Sequence, residues 1–297
     1  MAWARFAMKG RLAGGLLGIW LVAGCTAFPP DLATATPSLA TSTPKARATA
    51  TPQPKLGKIT VSYDTPKKKK YKKIATTLKK SGAFENLAAR FTETYKLPVD
   101  LPIRFTELGE ENAYFDPNTN EITVGYELID TYSQIFEIDK KDPNAYQQEL
   151  VDAGYFTVCH EIGHALVALL DLPITGSEED AVDEFATLAL LKMDDEQAES
   201  ALISGIEQFS VDAAAYEDIE ELSFSDEHSM DKQRFYDVLS LVYGSDPEYH
   251  SDLLSEDYLP EEMAEDSQVE YERKSAVWDR LLAPHLRKPD ASPVPQE

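Results

Sequence analysis

The chain has 297 residues, with 28 Lys+Arg against 52 Asp+Glu and a formal charge of −24, which argues against nucleic acid as a partner because phosphate backbones are held by clustered positive charge. Its two cysteines, Cys25 and Cys159, stand in a leader segment and in an apolar helical run, so a disulfide scaffold is excluded. One globular unit is expected, following an N-terminal fifth too poor in large apolar residues to join a core.

Residues 1–24 read as a lipoprotein signal peptide: Arg5, Lys9 and Arg11 precede a 13-residue apolar stretch from Leu12 to Gly24. That stretch is too short to span a bilayer comfortably. Leu21-Val22-Ala23-Gly24-Cys25 resembles a bacterial lipobox. The resemblance implies lipidation of Cys25, export, and anchoring on the extracytoplasmic side of a membrane. Residues 25–80 are expected to form a tether, rich in Thr, Pro and Ala to about Gly57 and then lysine-rich from Lys67 to Lys73. The lysines read as a solvated charge run, with attraction to anionic headgroups as the second reading. All but Asp31 and Asp64 of the 52 acidic residues lie from Ser81 onward, against 13 basic ones, so the remainder carries a net charge of −37.

The globular domain is expected over residues 81–283. Phe84, Leu87, Ala88, Phe91 and Tyr95 recur at helical spacing over 81–97, and Leu97-Pro98 stops the pattern. Short strands are expected at 101–107, 113–115 and 121–125, the last two joined through Asp116-Pro117-Asn118-Thr119-Asn120, and together they suggest a small antiparallel sheet. Helical periodicity follows over 144–170, 178–193, 195–213, 231–243 and 261–283, and the tail 284–297 reads as disordered. Strands first and helices after give an α+β class.

The most informative residues are His160-Glu161-Ile162-Gly163-His164, inside an apolar helical run. Positions four apart share a helix face, so both imidazoles can meet one metal ion, with Glu161 beside it as general base toward a water. A catalytic zinc site needs a third protein ligand. The helix expected from 178 supplies Glu179 as first choice and Glu184 as second, and Asp183 lies where it can orient His160. Glu178 and Asp180 read as charge at a helix N-terminus. Cys159 reads as a buried apolar residue.

The pair HExxH and ExxxD resembles the gluzincin metallopeptidases, the thermolysin and neprilysin group. Asn112-Ala113-Tyr114-Phe115 looks like their edge-strand motif, which implies that Asn112 and Ala113 align a peptide backbone. Residues 84–283 more closely resemble a family of bacterial metallopeptidases through NAYFDP, YELID, HEIGHAL, EEDAVDEFAT, SDEHSMDKQRFYDVL and VYGSDP. The resemblance implies a zincin-like fold: a small sheet lobe, a mainly helical C-terminal lobe and the active-site helix between them. In that family cysteines stand at the positions of Leu108, Gly125, Ser240 and Ser267, and this chain has none of them.

Gluzincins often take an oxyanion donor from a His or Tyr in the helical half, and His228 is the candidate here. Arg234 reads as a salt-bridge residue, with a grip on a substrate carbonyl as its second reading. Tyr114, Tyr126, Phe185, Phe235 and Tyr236 are expected in the core, and His250 and His285 receive no role. The expectation is a membrane-anchored, zinc-dependent metallopeptidase acting on peptides or proteins outside the cytoplasm, with one catalytic Zn2+. The alternatives are a surface lipoprotein that binds peptides or scaffolds around a non-catalytic zinc, and a zinc hydrolase of non-peptide amides.

Overall fold

The computed structural model describes residues 56–287 apart from 136–141, 194, 215–227 and 256–257, and it does not describe the side chains of residues 135, 210–214 and 228–232. The signal-like leader, Cys25 and the tail beyond Arg287 lie outside the described residues. In chain order the elements are β1 (Ile59–Tyr63), α1 (Lys69–Ser81), α2 (Ala83–Thr94), β2 (Leu101–Thr106), β3 (Ala113–Asp116), β4 (Glu121–Gly125) and α3 (Tyr126–Ile135). The helical body follows as α4 (Pro143–Leu170), α5 (Glu178–Met193), α6 (Glu196–Ala214), α7 (His228–Ser245), α8 (Glu261–Ala264) and α9 (Ser267–Leu282). This is a mixed α+β fold with a small sheet and a mostly helical body.

The sheet is mixed, not antiparallel as its strand-turn-strand sequence suggests. Its order is β1-β2-β4-β3, with β1 parallel to β2, β2 parallel to β4, and only β3 antiparallel to β4. The cause is β1, a strand inside the segment expected to be a tether. Parallel neighbours need a long crossover, and α1 and α2 form it, turning on Gly82 at φ 66°. Among the described residues the fold therefore takes in 57–80, which the expected boundary at Ser81 leaves out.

In α1, Tyr71, Ile74, Ala75 and Leu78 are buried on one face. The intervening lysines hide that period, although helices of this kind keep their charges on the opposite face. The expected tail is corrected in its first residues as well. Lys96 N–H donates to His285 O at 2.7 Å and Leu286 bridges to Tyr95. Arg287 donates to Thr94 O at 2.8 Å, Tyr95 O at 2.8 Å and Gly57 O at 2.6 Å.

Helix α4 is the axis of the molecule. Asp142 caps its start by accepting from Asn144 N–H at 2.9 Å and Ala145 N–H at 3.3 Å, Pro143 fits the first turn, and Asp171 ends it at φ 52°. Nineteen of its 28 residues are buried, which explains a helix apolar enough to cross a bilayer: it is covered on all sides by protein. On one flank Tyr155 meets Phe84, which in turn packs against Phe105 of β2 with ring centres 5.8 and 4.8 Å apart. On the other flank lie α5 and α6, with Phe185 of α5 against Trp278 of α9 at 5.3 Å.

Gly163 allows α5 to come this close. A Cβ there would stand 2.9 Å from Val182 Cβ and 3.0 Å from Phe185 Cδ1. In Gly163→Ala the intrinsic helix preference gains about 1 kcal/mol and overpacking costs about 1–3 kcal/mol. The expected outcome is a small loss of thermal stability together with weaker binding of a divalent metal ion, because α5 carries the third candidate ligand. Calorimetry and titration of the same variant with divalent metal ions check both.

Candidate metal centre

His160, Glu161 and His164 share α4, and α5 enters with its first turn facing them. His160 Nε2 and His164 Nε2 are 3.2 Å apart. Glu179 Oε2 lies 3.3 Å from His160 Nε2, and Glu179 Oε1 lies 3.3 Å from His164 Nε2. A tetrahedral ion with bonds of about 2.0–2.1 Å holds its ligand atoms about 3.3 Å apart. The two imidazole nitrogens already have that spacing, the Glu179 carboxylate offers one oxygen to each at the same distance, and the three residues make up the one group of this kind among the described residues. Glu184, the second ligand candidate, instead engages Lys274 at 2.6 Å.

The outward ring nitrogens are committed elsewhere. His160 Nδ1 is 2.7 Å from Asp183 Oδ1, and His164 Nδ1 is 2.7 Å from Glu178 Oε1. Carboxylates behind the rings leave both Nε2 atoms as the metal-facing donors. Arg234, from α7, grips Asp183 with Nε at 2.5 Å and Nη2 at 3.1 Å, and its Nη2 lies 3.8 Å from Glu179 Oε2. The salt-bridge reading of Arg234 is the one its geometry matches.

Charge in the centre favours a cation. Burial works against a charged His160, but the charge and hydrogen bond of Asp183, with Glu179 and Glu161, push its pKa up to about 10. Burial would raise Glu179, yet hydrogen bonds and charge from the two histidines hold it well below the usual carboxylate range. Asp183 is likewise held low against its own burial by Arg234 and His160. Two imidazoles and a carboxylate with this bias are a donor set for a divalent ion, which displaces protons when it binds.

Glu161 is buried, and burial raises its pKa against the pull of His160 and His164. The backbone of Phe115, on β3, adds to the lowering influences on that pKa. Strand β3 is the edge of the sheet. Gly125 N–H donates to Asn112 O at 2.9 Å, so the main chain of Asn112 faces β4 and, by the two-residue period, that of Ala113 faces outward with Phe115. Asn112 and Ala113 are buried, whereas Tyr114 is exposed, contrary to its expected core position. Tyr126, Phe185 and Phe235 are buried.

His228 opens α7, but its side chain lies outside the described residues. Cys159 is fully buried on the back of α4, and burial raises its thiol pKa well above normal, leaving it inert. Sequence reasoning passed over Glu178 as helix-end charge, and no local spacing ties Arg234 to α5. An acidic residue one before a candidate ligand was the available sign for the first. The second had none.

Asp183 and Glu178 perform the same task in different surroundings. Asp183 is buried with Arg234 upon it, whereas the Glu178 side chain is 51% exposed. Asp183→Asn is expected to weaken metal binding about 10–100-fold. Glu178→Gln should change it only a few-fold, since exposed pairs contribute about 0–1 kcal/mol. Competition with a chelating dye checks the contrast.

Residues 63–282, most of the chain, match the model of the DUF4344 family, described as "Putative metallopeptidase". No curated protein and no solved structure matches the chain.

Proposed function

Because the chain belongs to the DUF4344 family, we propose that it is a zinc-dependent peptidase of the gluzincin type, with a zincin-like arrangement of sheet lobe, metal helix and helical lobe. The observation that carries this reading is the meeting of three donors beside the buried Glu161: His160 Nε2 and His164 Nε2 lie 3.2 Å apart, and the Glu179 carboxylate spans them with Oε2 3.3 Å from the first and Oε1 3.3 Å from the second. Bound zinc supplies Lewis acidity, polarising the scissile carbonyl and acidifying water.

The protein's own residues do the rest. Glu161 accepts a proton from the attacking water and passes it to the leaving nitrogen, so the water's oxygen ends on the new carboxyl group and its protons are shared between the products. The outward main chain of Ala113 pairs with an extended substrate as an added strand, and Asn112 fixes that edge against β4. Asp183, braced by Arg234, orients His160, and Glu178 orients His164. His228 is our candidate donor to the developing oxyanion, supported by the position of Arg234 on the same helix beside Glu179. We also read the chain as exported and anchored through a lipidated Cys25, on the strength of residues 1–25 alone.

The test is cleavage of a diverse peptide mixture followed by mass spectrometry. New termini should appear with the zinc-loaded protein, vanish with EDTA and return when zinc is restored. A folded, zinc-loaded protein that yields no new termini would overturn the peptidase reading.

A further inference from the structure

Against an acidic body, one surface has the opposite sign. Between Lys67 and Lys80 the sequence carries eight lysines and no acidic residue. With Tyr71, Ile74, Ala75 and Leu78 buried, α1 turns Lys69, Lys72, Lys73, Thr76 and Lys80 to solvent. These five fall at helical spacing on one face. Lys70 is committed to Asp130 at 2.5 Å and Lys68 lies 3.9 Å from Glu107. Among the described residues no carboxylate pairs with Lys69, Lys72, Lys73 or Lys80.

The face is also concave. A groove of about 570 Å³ runs between α1 and the start of α4, lined by these four lysines, Thr76, Thr77, Tyr146 and neighbours. Lys73 Nζ sits 4.0 Å from the centre of the Tyr146 ring, which holds the ammonium at the groove wall. Ammonium and hydroxyl donors around an open groove suit phosphate oxygens.

We propose that the lysine face of α1, with the groove it forms against Tyr146, docks the protein on an anionic lipid surface by receiving phosphate-bearing headgroups. The partner follows from charge. Residues from Ser81 onward carry a net charge of −37, so an anionic bilayer repels the body and attracts this one face, which fixes orientation as well as contact.

The test compares sedimentation of the full chain with vesicles of phosphatidylcholine alone and of phosphatidylcholine mixed with phosphatidylglycerol. The readout is the ratio of the two affinities, which cancels any insertion by the N-terminal segment. A lysine near an anionic surface contributes about 1 kcal/mol, about fivefold in affinity. K69Q/K72Q/K73Q/K80Q should therefore lower the ratio by two to three orders of magnitude, as should high salt. K58Q/K96Q/R273Q/R280Q makes the same charge change away from the groove and should leave the ratio within a few-fold of the parent.

A parent with no preference for phosphatidylglycerol overturns the proposal, as does a lysine-groove variant that keeps the preference. Equal losses in both quadruple variants would reduce the effect to net charge and also overturn it. Full competition by millimolar inorganic phosphate would show a site for free phosphate, not for a lipid surface. Circular dichroism of both variants establishes that the fold is intact, and neither outcome depends on whether the metal centre is catalytic.

Discussion

Glu161→Gln is expected to lower kcat by about 10²–10⁴-fold while leaving zinc affinity within a few-fold of the parent and KM nearly unchanged. The exchange keeps the shape of a side chain that is 5% exposed and removes only its capacity to take up a proton. Glu161 is not among the candidate ligands His160, His164 and Glu179, so the proposed mechanism predicts that metal binding and proton transfer separate in this variant. Steady-state kinetics on one peptide, with metal content measured on the same sample, tests the separation. A variant cleaving within tenfold of the parent would remove Glu161 from the mechanism. One that has also lost its zinc would show that the carboxylate supports the ligands instead.

Joining Ser240 and Ser267 as cysteines is expected to raise stability by about 3–4 kcal/mol, the chain-entropy value for a closed loop of this size. The two residues are 27 apart in sequence and their hydroxyl oxygens are 2.7 Å apart. That approach is possible because Gly244 lets α7 lie directly on α9: a Cβ there would stand 2.1 Å from Ser267 O. The Ser–Ser hydrogen bond is lost, at about 1 kcal/mol, leaving a net gain of some 2–3 kcal/mol. For a domain of this size each kcal/mol moves Tm by about 2–4 °C, so S240C/S267C should melt several degrees higher than the parent. Calorimetry with and without reductant checks it, and an oxidised variant with no rise in Tm would show strain consuming the entropy gain.

The metal centre was largely legible because its information is local. His160, Glu161 and His164 are fixed relative to one another by a single helix, and Glu179 and Asp183 by the next. What failed to show was non-local. Strand periodicity is the same for parallel and antiparallel neighbours, so β2 and β4 could not reveal that they run alongside each other, and β1 was hidden behind a polar leader. Helix α3 follows β4 with no turn signal between Gly125 and Tyr126. The single helix expected over 261–283 is two, α8 and α9, parted at Glu265 and Asp266. Arg234 reaches Asp183 across 51 residues of sequence, a distance over which spacing carries no information.

The grip of Arg287 on Gly57, Thr94 and Tyr95 brings the entry and exit of the folded unit to one spot. One arginine thus cross-links the approach to the first described strand, the end of α2 and the last described residues. Drawn together at one point, the two ends of the described fold leave α4, α5 and the geometry between His160, His164 and Glu179 off the path that joins them.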